Sequence, residues 1–297
     1  MDSTKKKSLF SFTSLFNISN SKTAEKRYLR NKISKAIDFY NHGLMMKAVD
    51  LLEPYVDELS NKDNPVIENY DVLNILITAE FIIGRYEKSC DYAELMHTVA
   101  IKEKDNLLQK EYLSKSLFYW GVLSLKKNEI LVASQCFENA IDIISESEHI
   151  LPFNLLAQTY LMAAKAYALS DDPQKMFQAC KNFDGIISSL QNKPFYISLA
   201  LYKESIMALY SLRLGFPGNA NFAFESYLLY RSQITDKIDA YYRYFEILEK
   251  ASTTIAQFLQ ESNHVDGVMD NYQFAFSLAN HDHQSVSQPN DLIWLSY

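Results

Sequence analysis

A chain of 297 residues, 48% of them hydrophobic, is long enough for two globular domains or one elongated repeat array. Its formal charge of −7 argues against a general nucleic-acid binder, whose surface must neutralise phosphates. Three cysteines make no disulfide framework and fit a reducing compartment, so a cytoplasmic protein is expected.

Residues 1–23 differ in kind from the rest of the chain. Lys5, Lys6 and Lys7 precede Leu9, Phe10, Phe12, Leu15, Phe16 and Ile18, set among serines. The apolar part is too diluted for a secretory signal, and no A-x-A cleavage site comes after it. A flexible basic and aromatic leader is expected, in which residues 5–18 could touch an anionic membrane. Elsewhere no apolar run reaches the ~18 residues of a spanning helix. Residues 72–83 come nearest and are interrupted by Asn74 and Glu80.

From residue 24 one spacing recurs: a small or apolar residue, then residues of similar kind at +12, +16 and +19. Ala36 leads to Ala48, Leu52 and Tyr55, and Ile77, a weaker match, to Ser89, Ala93 and Met96. Gly121, preceded by Trp120, leads to Ala133, Phe137 and Ala140. Ala164 leads to Met176, Cys180 and Phe183, and Ala208 to Ala220, Phe224 and Tyr227. Ala256 leads to Val268, Tyr272 and Ala275. The leading residues advance by 41, 44, 43, 44 and 48. Gly43, Gly84 and Gly215 fall at one phase of this period, with Pro173 and Pro217 close by in later copies. Pro65, Pro152 and Pro194 fall at a second phase, where proline can stop one helix or open another. Cys90, Cys136 and Cys180, 46 and 44 residues apart, keep the same period, as small apolar packing residues would.

Small residues at the lead and +12 positions and a large one at +16 resemble the tetratricopeptide (TPR) pattern, with the leading residue at position 8. The resemblance implies an all-α fold, a right-handed α-solenoid of about six long helix–turn–helix repeats over residues 24–280. A polar tail, residues 281–297, completes the chain. The period exceeds the usual 34 residues, so the helices should be long. Pro54 should kink the second helix of the first unit or delay its start. Ser124 and Ser211 replace the aromatic usual at position 11, whereas Tyr167 supplies one. Residues 236–263 read as one helix of about seven turns.

In TPR folds the first helices line the concave face through positions 2, 5, 9, 12 and 13. Those positions here hold Arg30, Lys115, Lys126, Lys165, Arg213 and Lys250, against the acids Asp71 and Glu261. The implied inner charge is +4, leaving −11 elsewhere. Asn74, Phe118 and Tyr202 complete the expected surface. The implied function is a non-catalytic adaptor or scaffold that takes a protein or peptide, including an acidic segment, in its groove. Long-repeat proteins of this size also resemble the peptide-pheromone receptors of Gram-positive bacteria and their phages. Those carry an N-terminal output domain, for which about 28 residues upstream of the first unit leave no room.

Enzyme signatures are missing: no Gly-rich phosphate loop, G-x-S-x-G elbow or H-E-x-x-H occurs, and no cofactor or metal is expected. His281 and His283 flank Asp282 in the tail, a weak metal set at best. Asp171 and Asp172 ahead of Pro173 read as helix-stop and cap residues. The tail ends in Leu292-Ile293-Trp294-Leu295, suited to packing back on the last helix or to docking on a partner.

Overall fold

The computed structural model describes residues 24–60, 67–147, 153–190, 196–233 and 245–261. The leader, the tail and Pro65, Pro152 and Pro194 lie outside these residues. Every described element is helical. First and second helices alternate: α1 (Ala24–Asn41) with α2 (Met45–Leu52) and α3 (Val56–Ser60), α4 (Ile67–Ile83) with α5 (Tyr86–Ile101), α6 (Asn106–Lys126) with α7 (Ile130–Ser145). Then come α8 (Phe153–Leu169) with α9 (Pro173–Ile187), α10 (Tyr196–Arg213) with α11 (Pro217–Ser232), and α12 (Phe245–Glu261). Each second helix down to α9 also packs on the first helix of the next pair, and α10 packs on α12. Five pairs and the opening helix of a sixth are described; Val268, Tyr272 and Ala275 lie beyond them.

The sequence register is the packing register. Ala36, Ile77, Ala164 and Ala208 are buried on the first helices, as are Ala48, Ser89, Ala133, Met176 and Ala220 on the second. The weaker match around Ile77 is as buried as the others. Gly121 has a specific steric reason to be glycine. A Cβ there would sit 2.5 Å from Cε1 and 2.8 Å from Cζ of Phe137, whose ring is fully enclosed.

The bend within each pair is one motif used five times. Gly43, Gly84, Asn128, Asp171 and Gly215 all have φ between 56° and 87°, each seven residues after its unit's leading residue. The next residue's N–H returns to the carbonyl five positions back: Leu44 to Phe39, Arg85 to Glu80, Glu129 to Ser124, Asp172 to Tyr167 and Phe216 to Ser211, at 2.8–2.9 Å. These are Schellman caps, and they satisfy carbonyls that a helix end leaves orphaned. Glycine accepts the left-handed conformation freely, and asparagine and aspartate tolerate it through their short polar side chains. Two substitutions at this phase should therefore have opposite signs. Gly215→Val should destabilise by about 1–2 kcal/mol, and Asp171→Gly should be neutral or stabilising by a few tenths. Urea titrations of the two variants measure both.

Asp172 caps α9 by accepting from the N–H of Lys175 at 3.0 Å, and Pro173 and Pro217 occupy first-turn positions. Pro54 ends α2: the chain passes through a 3-10 turn, Glu53–Tyr55, before α3. Of the long helix expected over 236–263, α12 accounts for Phe245–Glu261.

Candidate functional site

The first helices form a row, with α1 against α4, α6 against α8, α8 against α10 and α10 against α12. Cross-ties join α4 to α6. The Tyr70 and Tyr112 rings stack with centroids 3.6 Å apart, and the Tyr119 hydroxyl donates to Asn74 Oδ1 at 2.7 Å. Burial pushes the Tyr119 phenol well above its ordinary range, so it remains a donor.

This row is enclosed more thoroughly than an amphipathic surface helix would be. In α4 every residue from Tyr70 to Phe81 is buried, and α10 is nearly as enclosed from Ser198 to Ser211. The expected groove residues separate accordingly. Phe118 is a core side chain, 2% exposed, tilted against Phe137 with ring centroids 6.2 Å apart. Tyr202 is equally enclosed, and Asp71 and Asn74 are buried. Lys115 is 4% exposed, with Nζ 2.7 Å from Glu111 Oε1 and 5.1 Å from the centre of the Tyr112 ring. Its charge is balanced within its own helix. Glu111 lies one turn before position 2, outside the positions that define the concave face in sequence.

Toward the C-terminal ends of the first helices the cations reach solvent. Lys126 projects over the rings of Phe81 and Tyr86, at 5.8 and 6.0 Å. Arg213 forms a two-oxygen ion pair with Glu261, with Nε 2.8 and 3.1 Å from the carboxylate oxygens, and lies over Tyr210. That pair holds the Glu261 carboxyl below its ordinary range. Arg30 and Lys165 are half-buried. The side chain of Lys250, on α12, lies outside the described residues.

Two polar groups carry no signal that a charge pattern on the concave positions would register. Gln158, at position 2 between Lys115 and Tyr202 in the neighbouring units, is 6% exposed, and its Oε1 has no hydrogen-bond partner. It is uncharged and therefore silent in such a pattern. Glu80, at position 11, is fully enclosed and sits off the concave positions. Both carboxylate oxygens lack hydrogen-bond donors, and the Arg85 guanidinium stands 3.7 Å away.

The described residues hold no cluster of three metal-ligating side chains. Burial pushes the Cys136 thiol up to about 11 and the Cys180 thiol up to about 12, so neither is a thiolate near neutral pH. No described helix is long and apolar enough to cross a membrane.

Comparison with solved structures places this architecture. The apo form of RapI superposes with a TM-score of 0.65 at 13% identity, over 92% of this chain and 88% of RapI. The fold is TPR-like. A second similar structure contains the nearly identical TPR-like repeats of a Podosopora anserina protein named for the kinesin light chain. It gives a TM-score of 0.54 at 15% identity and covers 72% of this chain and all of that one. A singly substituted form of those repeats gives 0.55, also at 15% identity, over 71% of this chain and 98% of that one. No family model matches the sequence. No curated protein matches it either. At identities of 13–15% the likeness is one of fold, a TPR-like solenoid.

Proposed function

We propose that the chain is a non-catalytic TPR-type adaptor that binds a protein or peptide segment along its row of first helices. The observation that carries this reading is chemical. Asp71, Asn74, Lys115 and Gln158 are polar, nearly enclosed and placed at inner positions of three successive first helices. Asn74 and Lys115 are partnered within the array, by Tyr119 and Glu111, whereas Gln158 Oε1 has no hydrogen-bond partner, and a polar atom buried that way costs free energy that a bound segment's donor would recover. Arg30, Lys126 and Lys165 bring positive charge to the same row, while Arg213 is balanced by Glu261. Phe118 and Tyr202 support it from beneath, and Lys115 acts as a paired group rather than an open cation. An acidic segment suits this surface.

Crosslinking mass spectrometry on partner complexes captured from native cells tests the reading, with crosslinks expected on first-helix residues. Lys126→Glu combined with Lys165→Glu should weaken capture while the helical circular dichroism is retained; the change at exposed Lys126 should move stability by less than about 0.5 kcal/mol, and that at half-buried Lys165 by more. Rising salt should weaken binding as well. Normal capture by the double variant, or crosslinks confined to the second helices, would refute the basic-groove reading.

The second reading is a peptide-sensing regulator. It is favoured by the long period and by the extent of the match to RapI, a protein whose structure is described as an apo form.

A further inference from the structure

We propose that position 13 of α4, α6 and α8, occupied by Ile82, Lys126 and Leu169, forms a strip that reads a peptide in the order apolar, acidic, apolar. The inference rests on the adaptor reading above and deepens it by naming the kind of segment taken.

Enclosure ends at this position of the repeat. At positions 9 and 12 of the same helices, Thr78, Phe81, Val122 and Ala168 are buried. Position 13 comes two residues before the left-handed residue of each bend, Gly84, Asn128 or Asp171, and there the side chains emerge. Ile82 and Leu169 are each 38% exposed, and Lys126 between them is exposed as well. A single exposed aliphatic residue carries little meaning, but the repeat supplies an internal comparison. The other units hold Asn41, Arg213 and Glu261 at this position, all polar. The aliphatic side chains are thus specific to the two units that flank Lys126.

Charge decides what lies between them. Lys115 is balanced by Glu111 and Arg213 by Glu261, whereas Lys126 forms none of the ion pairs among the described residues. It is held by rings instead, with its ammonium 5.8 Å from the centre of Phe81 and 6.0 Å from that of Tyr86, both in the preceding pair. Aromatic faces orient a cation without neutralising it. The charge is left for a carboxylate of the bound segment.

Spacing sets the register. Neighbouring packed helices lie about 8–10 Å apart. A polyproline II chain makes one turn in three residues and about 9 Å, so residues i, i+3 and i+6 return to one side at that interval. A β-strand would turn residue i+3 to the opposite face. The fitting segment is therefore apolar-x-x-acidic-x-x-apolar in the polyproline II conformation, and proline at the x positions should favour it.

Yeast display of random twelve-residue peptides, selected on the full-length chain, tests the proposal. Enriched peptides should share that spacing, with proline frequent between the three reading positions. They should bind Lys126→Glu at least tenfold more weakly and Ile82→Ser or Leu169→Ser several-fold more weakly. Lys181→Glu makes the same charge change on an exposed site of α9 and should bind them normally. Selection on Lys126→Glu itself should replace the central acid by lysine or arginine. Enriched peptides that ignore the three strip substitutions overturn the proposal and leave the adaptor reading in place. A library that does not enrich also overturns it, and only empty capture from native cells removes the adaptor reading as well. A concentration-dependent dimer that Leu169→Ser dissolves would make a second copy the occupant and overturn it too.

Discussion

Gly121→Leu is expected to lower the thermal midpoint by roughly 6–12 °C, corresponding to a loss of about 3 kcal/mol. Even a methyl group at residue 121 would overlap the Phe137 ring, at 2.5–2.9 Å from three of its carbons. Phe137 cannot retreat, because it is fully enclosed and stands against Phe118. The cost arises from overpacking, since the interior is too dense for either helix to yield without losing contacts elsewhere. Gly121→Ala should show a smaller loss, and Phe137→Leu should relieve part of it by vacating ring volume. Non-additivity in that pair, measured by thermal unfolding of both single variants and the double, identifies the contact itself. An unchanged midpoint for Gly121→Leu would contradict the packing described around α6 and α7.

Glu80→Leu should have the opposite sign. The carboxylate is enclosed without a donor, and Arg85, itself partly exposed, is too far for a close pair. Burial is the main reason its carboxyl is pushed above the ordinary 4.5, with Glu53 and Asp50 adding to the rise and Arg85 and Lys88 opposing it. An acid whose folded pKa is raised binds its proton more tightly in the folded state. Its contribution is complete below the unfolded value and is lost as pH climbs through the folded one. Leucine removes the buried charge, so stability should rise by about 1–3 kcal/mol at pH 7.5, with a smaller gain in acid, where protonation neutralises Glu80 in the folded protein before an ordinary carboxyl would be neutral. Urea titrations under the two conditions measure the difference. Equal gains at both would mean that the effect is packing alone, and a loss at the higher pH would mean that Arg85 sustains Glu80 better than the distance implies.

The fold was legible because its signals are local and periodic. Alanine or glycine at helix contacts leaves the same trace in sequence and in packing, and Ala36, Gly121, Ala164 and Ala208 were enough to fix the register. The bend was legible only in part. Gly43, Gly84 and Gly215 were recognisable as turn residues, but Asn128 fills the same left-handed position without glycine's signature, and the phase of Asp171 becomes evident only beside its φ. The surface was harder to read. Assigning charge to the groove by position treats each side chain as independent, whereas Lys115 is compensated by Glu111 one turn away and Arg213 by Glu261 on the next first helix. Enclosure of Phe118 depends on packing from several sides at once, a long-range property that a helical template does not encode.

The five repeated caps also supply a set of internal gauges. The amides of Leu44, Arg85, Glu129, Asp172 and Phe216 each close the same bond, one per helix pair, at nearly equal spacing along the chain. In a solenoid whose units contact only their neighbours, local opening is free to differ from pair to pair. Hydrogen–deuterium exchange at those five amides would therefore resolve the stability of the array pair by pair, so that a bound ligand would register as a graded slowing centred on the pairs it touches.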